Sequence, residues 1–504
     1  TIMASKTEIS KTTTEAQTGS YALPKYSPEQ SDFNDLFTNC WTHRLTSCFW
    51  DMGNDTSDGQ TGGTGTGGNW MSRWDLQDKF AISWYGTLDQ SMGYASNVKS
   101  PEITGRLQSS MQKLTKVDLQ FICKPKNETT DAKFLAQVAE IIINDAFQKN
   151  KYKFRLNDAF YDGLRHGSAP VTVDFVNRSR YVKLPIDEDH MSKDQLKAFK
   201  DNGTIPYEKV LFLDQRNVVI SNQRIQDVYI DPSARVVHGD TYYAGYYYLV
   251  KWIPFKRFQK MFDGKPGYNS EEVKKVKPSS ELMTVMDTSF FKPPRNMQGD
   301  SVMLVEGWNY DGDSFMVKAN DRFIREGPIP YNHKKLNLIM LTPFKLPEQF
   351  YGIGLVDFLM PIVTQLELLQ NSIYDYTMYS ANPVLMVEKN SYNSFSKHYR
   401  NARPGLMIPV MDVARAVAPL KYLPLSMDVF QAVSALQRDA VIASQQDPSQ
   451  LGVVQKNATA TANIINKEVM DAYINYVLTN FTEGLTEIAN QVWSLQKQFL
   501  TKQD

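Results

Sequence analysis

EQFYGIGLVDFLMPIVTQLELLQNSIYDYTMYSANPVL, residues Glu348 to Leu385, is the stretch from which the rest of the chain can be read. Gly352 and Gly354 permit a tight backbone before a helix, Pro361 is tolerable near its start, and Asn382-Pro383 stops it. The pattern predicts a helix from Leu355 to Ala381, roughly 40 Å long at ~1.5 Å per residue. Phe358 and Leu359, Ile362, Leu366, Leu369, Ile373, Tyr376 and Ser380 recur at alternating steps of four and three, which is a heptad seam. One narrow seam on so long a helix favours packing against like neighbours; the alternative is an ordinary core helix.

Charge is segregated around this helix. Between Lys345 and Lys389 there is no basic residue, while Glu348, Asp357, Glu367, Asp375 and Glu388 are acidic. From Lys389 to Pro424 the sign reverses, with Lys389, Lys397, Arg400, Arg403, Arg415 and Lys421 against the single acid Asp412. The 504-residue chain sums to a net charge of zero, so this pattern is visible only locally.

Length and composition allow two to four domains, and 12% aromatic residues argue against global disorder. No apolar run approaches the ~20 residues needed to span a bilayer, and the first residues form neither a secretory signal nor an anchor. Three cysteines fit a reducing compartment. Residues 1–30 are rich in Ser, Thr and Lys and predict a flexible arm. Helices are expected over Asp32–Trp50, Met71–Gly93, Ala132–Gln148 and Phe154–His166. In the third of these, Phe134, Leu135, Val138, Ile141, Ile142 and Phe147 supply the apolar face. Thr56–Gly68 is a glycine-rich loop.

Period-two stretches predict strands at 170–176, 210–213, 217–221, 228–230, 242–252, 302–308, 314–319 and 336–342, with a long excursion at 263–300. The tyrosines of 242–248 suit a packed sheet with cross-strand aromatic pairs better than a surface for sugars or bases. Beyond the opening helix come short strands at 384–387 and 405–409, a helix from Met427 to about Ala443, and a loop of about fourteen residues. A last helix starts at Thr459–Thr461 and continues to about Lys497, with a plausible bend at Gly484. The fold class is α+β.

Enzymatic and metal chemistry has little footing. Cys40, His43 and Cys48 form the only Cys/His cluster and lack a zinc pattern. There is no nucleophile elbow, no HExxH and no dinucleotide fingerprint, and the glycine-rich loop lacks the Gly-Lys-Ser/Thr ending of a phosphate cradle. We expect no cofactor, no metal and no catalytic residue.

The order of elements resembles the portal, or head-to-tail connector, proteins of tailed bacteriophages. The matching text is Asp158-Ala-Phe-Tyr-Asp-Gly-Leu-Arg-His-Gly167, Asp227-Val-Tyr-Ile-Asp-Pro232, Phe350-Tyr-Gly-Ile-Gly-Leu355 with its helix to Asn382-Pro383, Pro404-Gly405, and Thr459-Ala-Thr461. The resemblance implies an α+β wing over 31–350, a first stem helix over 351–382, a small α/β clip over 383–424 and a second stem helix over 425–443. A tunnel loop over 444–458 and a long wing helix over 459–504 follow, the family's crown being absent or truncated. It implies a homo-oligomeric ring, usually of twelve subunits, at one capsid vertex of the virion, assembled in the host cytoplasm. Double-stranded DNA would pass through it during packaging and ejection. Partners would be the terminase motor, the tail adaptor and the major capsid protein, with no membrane. In the tunnel loop, Gln446, Asp447, Gln450, Gln455, Lys456 and Asn457 would face DNA. Asp357, Glu367 and Asp375 would form an acidic stem, and Lys389, Lys397, Arg400 and Arg403 a partner-docking clip. The alternative is a nucleic-acid-processing enzyme or a motor subunit of the packaging machine, against which the missing phosphate loop counts.

Overall fold

The computed structural model describes residues 26–46, 70–83, 96–116, 120–125, 127–185, 200, 207–237, 240–265, 267–282, 300–346, 349–381, 385–387, 417–419, 425–445 and 460–499. Helices α1 (Pro28–Thr46), α2 (Trp70–Ala81), α3 (Glu102–Leu114), α4 (Thr130–Lys149) and α5 (Tyr152–His166) come first. Strands β1 (Ala169–Pro185), β2 (Tyr207–Asn222), β3 (Val228–Ile230), β4 (Arg235–Val237), β5 (Asp240–Tyr243) and β6 (Tyr246–Pro254) follow. Then come α6 (Phe255–Phe262), α7 (Ser270–Lys275), α8 (Ser279–Leu282), β7 (Ser301–Asn309), β8 (Ser314–Ala319), β9 (Arg322–Pro328) and β10 (Leu338–Leu341). The chain continues through α9 (Leu355–Ala381), β11 (Leu385–Val387), β12 (Val417–Pro419), α10 (Met427–Ser444) and α11 (Ala460–Phe499). The protein is therefore a mixed helix-and-sheet chain in which helices predominate.

Two compact units divide it: Thr1–Cys40 with Tyr246–Ile329, and Trp41–Gly245 with Pro330–Asp504. This division cuts across the expected 31–350 body, because the second unit takes most of that stretch together with all three long C-terminal helices. In the first unit β6, β7, β8 and β9 form an antiparallel meander, Tyr246 opposite Asn309 and Trp308 opposite Phe315. Its tyrosines pack as the sheet reading requires: Tyr247 and Tyr248 are buried, and Tyr247 stacks on Trp308 with centroids 6.3 Å apart. Phe33 of α1 meets Tyr248 edge-on at 4.9 Å and Phe323 at 5.2 Å.

In the second unit β1 is the middle strand of the order β10-β1-β2, antiparallel to both. The two stretches predicted at 210–213 and 217–221 are one strand, with an irregularity opposite Arg178/Ser179 where the two predicted pieces meet. Alternating Val171 and Val173 with Val218 and Ile220 bury one face, and Phe481, Leu485, Ile488, Val492 and Leu495 of α11 are buried with them. α11 is one continuous helix through Gly484; a Cβ there would lie 2.5 Å from Leu341, so the glycine lets α11 approach β10 closely.

Several boundaries move for local reasons. The helix expected over 71–93 ends at Ala81. The one expected over 132–148 begins at Thr130 because Thr129 caps it, its side chain accepting from the Ala132 N–H. The 263–300 excursion contains α7, capped by Asn269, and α8. Sequence periodicity missed α3, β4, α6, β9 and β12. The N-terminal arm to Lys25, the glycine-rich loop and the 405–409 strand lie outside the described residues. None of the described helices is long and apolar enough to cross a membrane.

Candidate functional site

α9 starts where three glycines interlock. Gly167 ends α5 with φ +82°, in the left-handed region that favours glycine, and a Cβ there would sit 2.3 Å from the Gly352 carbonyl oxygen. A Cβ on Gly352 would lie 2.1 Å from Thr342 and one on Gly354 2.7 Å from the carbonyls of Leu164 and Arg165. The N-terminus of α9 is thereby set against the carbonyl end of α5, a favourable head-to-tail dipole arrangement. Asp357, in the first turn, accepts from the Gly354 N–H at 2.8 Å, which is half of a capping box. The same carboxylate receives Arg73 of α2, Nε at 2.9 Å and Nη2 at 2.5 Å, and the Gln77 amide at 2.5 Å.

Further along α9, Glu367, Asn371 and Asp375 stand on one row at four-residue spacing. Against them lies the extended segment Ser96–Ser100. The Ser96 N–H donates to Asp375 at 2.8 Å, Val98 N–H to Asn371 at 2.8 Å, and Ser100 N–H to Glu367 at 2.7 Å. Asn371 returns its own amide N–H to the Val98 carbonyl at 3.1 Å, and Lys99 approaches Glu367 at 3.7 Å. The fit is metrical: four helical residues rise ~6 Å and two extended residues ~6.6 Å, so every second peptide N–H meets the next side chain on the row. A shorter version holds 121–123 on α4, where Asn144 accepts from the Phe121 N–H at 3.4 Å and Glu140 from the Cys123 N–H at 3.3 Å.

These contacts correct the acidic-stem expectation. Glu367 is 1% exposed and Asp375 7% exposed, and Asp357 is paired within the chain, so none of the three is presented as a channel lining. The seam is also partly different: Leu359 and Leu366 are buried, but Phe358 is exposed, and the buried row runs through Leu355, Leu359, Val363, Glu367, Asn371 and Asp375. It is apolar in its first half and polar in its second.

α10 lies along α9 and buries only Ala440 and Ser444, both near its end. Its Met427, Phe430 and Ile442 are exposed, Ile442 at 71%, as are Tyr374 and Met378 of α9. Arg106 of α3 is buried and donates to the Ser444 hydroxyl, placing a cation at the carbonyl end of α10, and it pairs with Glu102 one turn earlier. Helix α3 therefore joins both arms of the pair: the segment leading into it holds α9, and its own arginine holds α10. Where the two meet α11, a cavity of about 450 Å³ is lined by Phe344, Phe358, Tyr473, Tyr476 and Ala443.

The tunnel-loop residues Gln446, Asp447, Gln450, Gln455, Lys456 and Asn457, and the clip residues Lys389, Lys397, Arg400 and Arg403, lie outside the described residues. Of the clip, β11 and β12 are described and pair antiparallel, Leu385 opposite Pro419. Cys40 is buried, and the described residues contain no group of metal-ligating side chains. Among the described residues one histidine–carboxylate pair has an enzymatic appearance, His166 Nε2 to Asp78 at 2.8 Å, and it is enclosed by Arg165 at 3.1 Å and Gln226 at 3.1 Å, both on Asp78. Burial holds His166 below the ordinary imidazole range against the opposing pull of Asp78, which leaves Nε2–H as the donor. No protein-family model matches the sequence, and no curated protein does.

Proposed function

We propose that the chain is a portal subunit, a structural protein that forms a ring through which double-stranded DNA passes at one capsid vertex. The observation that carries this is the α9–α10 arm. A helix that buries two small residues at one end while exposing Met427, Phe430 and Ile442 has no core of its own, and equivalent arms side by side in a heterologous ring would supply one. The order of described elements supports the same reading: a glycine-seated helix, a small β-paired module, a returning helix and a long final helix.

On this reading residues 446–457 face the DNA. With charges only at Asp447 and Lys456 they would let it slide, because every exposed lysine is multiplied around a ring and each phosphate contact adds salt-dependent affinity. The basic residues Lys389, Lys397, Arg400 and Arg403 would dock the packaging motor and tail adaptor. Particle images of the purified protein test the proposal. Closed rings with an axial hole are the expected result; a monomer that turns over nucleotide would overturn it.

A further inference from the structure

Helix α1 starts on a local signal and is seated on a costly one. The Ser27 hydroxyl accepts from the Gln30 N–H at 3.2 Å, and the Gln30 side-chain oxygen accepts from the Ser27 N–H at 3.0 Å, a capping box with Pro28 at the first helical position. The helix lies on one face of the meander. Pairing sets Val305 and Phe323 directly across from Lys318, and Gly307 across from Met316, so all five positions share that face. Phe33 is buried there, and a Cβ on Gly307 would lie 2.2 Å from its ring. Of residues 26–34, Phe33 alone is buried.

Lys318 is the one charged group on this apolar face. Its three N–H donors meet the Asn34 side-chain oxygen at 2.5 Å and the rings of Tyr26 and Phe323, centroids 5.4 Å and 5.5 Å away. Burial lowers its pKa to about 8, opposed by Asp321 in the β8–β9 turn. The other charges around it are engaged or turned away: Arg322 on Glu272, Arg325 over Tyr268 and Phe315, Glu306 with Lys251, and Glu29, Asp32 and Asp35 of α1 exposed. Tyr248 beside it is pushed up by burial and stays neutral. Next to Phe33 a cavity of about 390 Å³ has Glu29 and Asp32 of the helix and Asp313 and Glu326 of the sheet in its lining, with no base among its lining residues.

We propose that the first half of α1, from Tyr26 to Asn34, is a strap that opens on its own, and that Lys318 keeps it poised to do so. Closing strips the ammonium of water and opening restores it, while like charges on strap and sheet push the same way. The open strap bares Tyr248, Met316 and Phe323. In the open form Lys318 has the ordinary lysine value of ~10.4. Below ~8 both forms carry the proton and the closed one bears the full desolvation cost; above it the closed form loses the proton first, so closing becomes more favourable as pH rises. The inference is independent of the ring reading.

Hydrogen exchange of the full chain, read on overlapping peptides and corrected for intrinsic rates, tests it. Residues 27–34 are expected to be at least tenfold less protected than 36–40, and their protection to rise about tenfold from pH 7 to pH 9. Lys318→Met, which keeps the length and removes the charge, is expected to raise protection at pH 7 at least tenfold and to abolish the pH dependence. Lower protection in that variant would make the ammonium a clamp and overturn the inference. So would wild-type protection at 27–34 that equals that at 36–40 or stays flat between pH 7 and pH 9, a comparison that stands even should the variant misfold.

Discussion

Glycine at 167 and 352 is demanded by backbone, not by turn preference. The atoms that a Cβ would meet at Gly167 are the Gly352 carbonyl and the Ile353 carbonyl carbon, which cannot rotate away as a side-chain tip can. Its φ of +82° adds strain for any other residue. Gly167→Ala and Gly352→Ala are each expected to cost about 2–4 kcal/mol in urea denaturation, the range of changes that strain backbone and pack against it. Gly105, inside α3, meets nothing within 4 Å, and there alanine is expected to stabilise by about 1 kcal/mol, because only the helix-propensity and unfolded-chain terms remain. Opposite signs at three glycines of one unit separate close packing from general intolerance.

At the scale of elements, the joint between α3, α9 and the segment 96–100 is where sequence and structure part most informatively. Reversing Glu367 to lysine removes the acceptor for the Ser100 N–H and buries a cation beside Lys99. Glu367→Lys is expected to abolish hydrogen-exchange protection at Ser96, Val98 and Ser100 and to lower the thermal midpoint; Glu367→Gln, which keeps an acceptor oxygen, should retain most of both. Unchanged protection in the lysine variant would show that the row does not hold the segment. The helix itself was legible to the residue, Leu355 to Ala381, because glycines, a proline and a long apolar period all act locally. Its orientation was not. Carboxylates in a base-free stretch read as solvent-facing, since an acid is rarely buried without a visible cation, and the partners here are peptide N–H groups some 270 positions away. The one available signal was the spacing Glu367–Asn371–Asp375, a polar row at helical period on a helix otherwise apolar there. α4 shows the converse: Phe134, Leu135 and Ile141 read as part of its apolar face, and all three are exposed, because spacing along a helix does not say how far the body it packs on extends. α3 was missed because Gly105 and eight polar residues of its thirteen leave only the narrow row Ile103, Leu107, Met111 and Leu114, although Arg106, through Ser444, makes it the joint.

Over the whole molecule, acidic and basic residues balance, so pH dependence near neutrality comes from the few groups that titrate there. Three histidines of the second unit are placed to act together. Burial holds His43, His166 and His333 below the ordinary imidazole range, opposed in turn by Asp231, Asp78 and Glu487. Above ~6.5 the unfolded and folded chains both carry these rings neutral, and they contribute no pH dependence. Below it the unfolded chain takes up protons that the folded one refuses, so stability falls as pH drops from ~6.5 through the depressed folded values. His166 contributes most directly, because its ring is 2% exposed and its Nδ1 has no partner to welcome a second proton. The midpoint of urea unfolding is therefore expected to fall between pH 7.5 and pH 5.5, and to fall less in His166→Asn. An equal loss in that variant would place the acid sensitivity elsewhere, and a midpoint that rises on acidification would reverse the assigned sign.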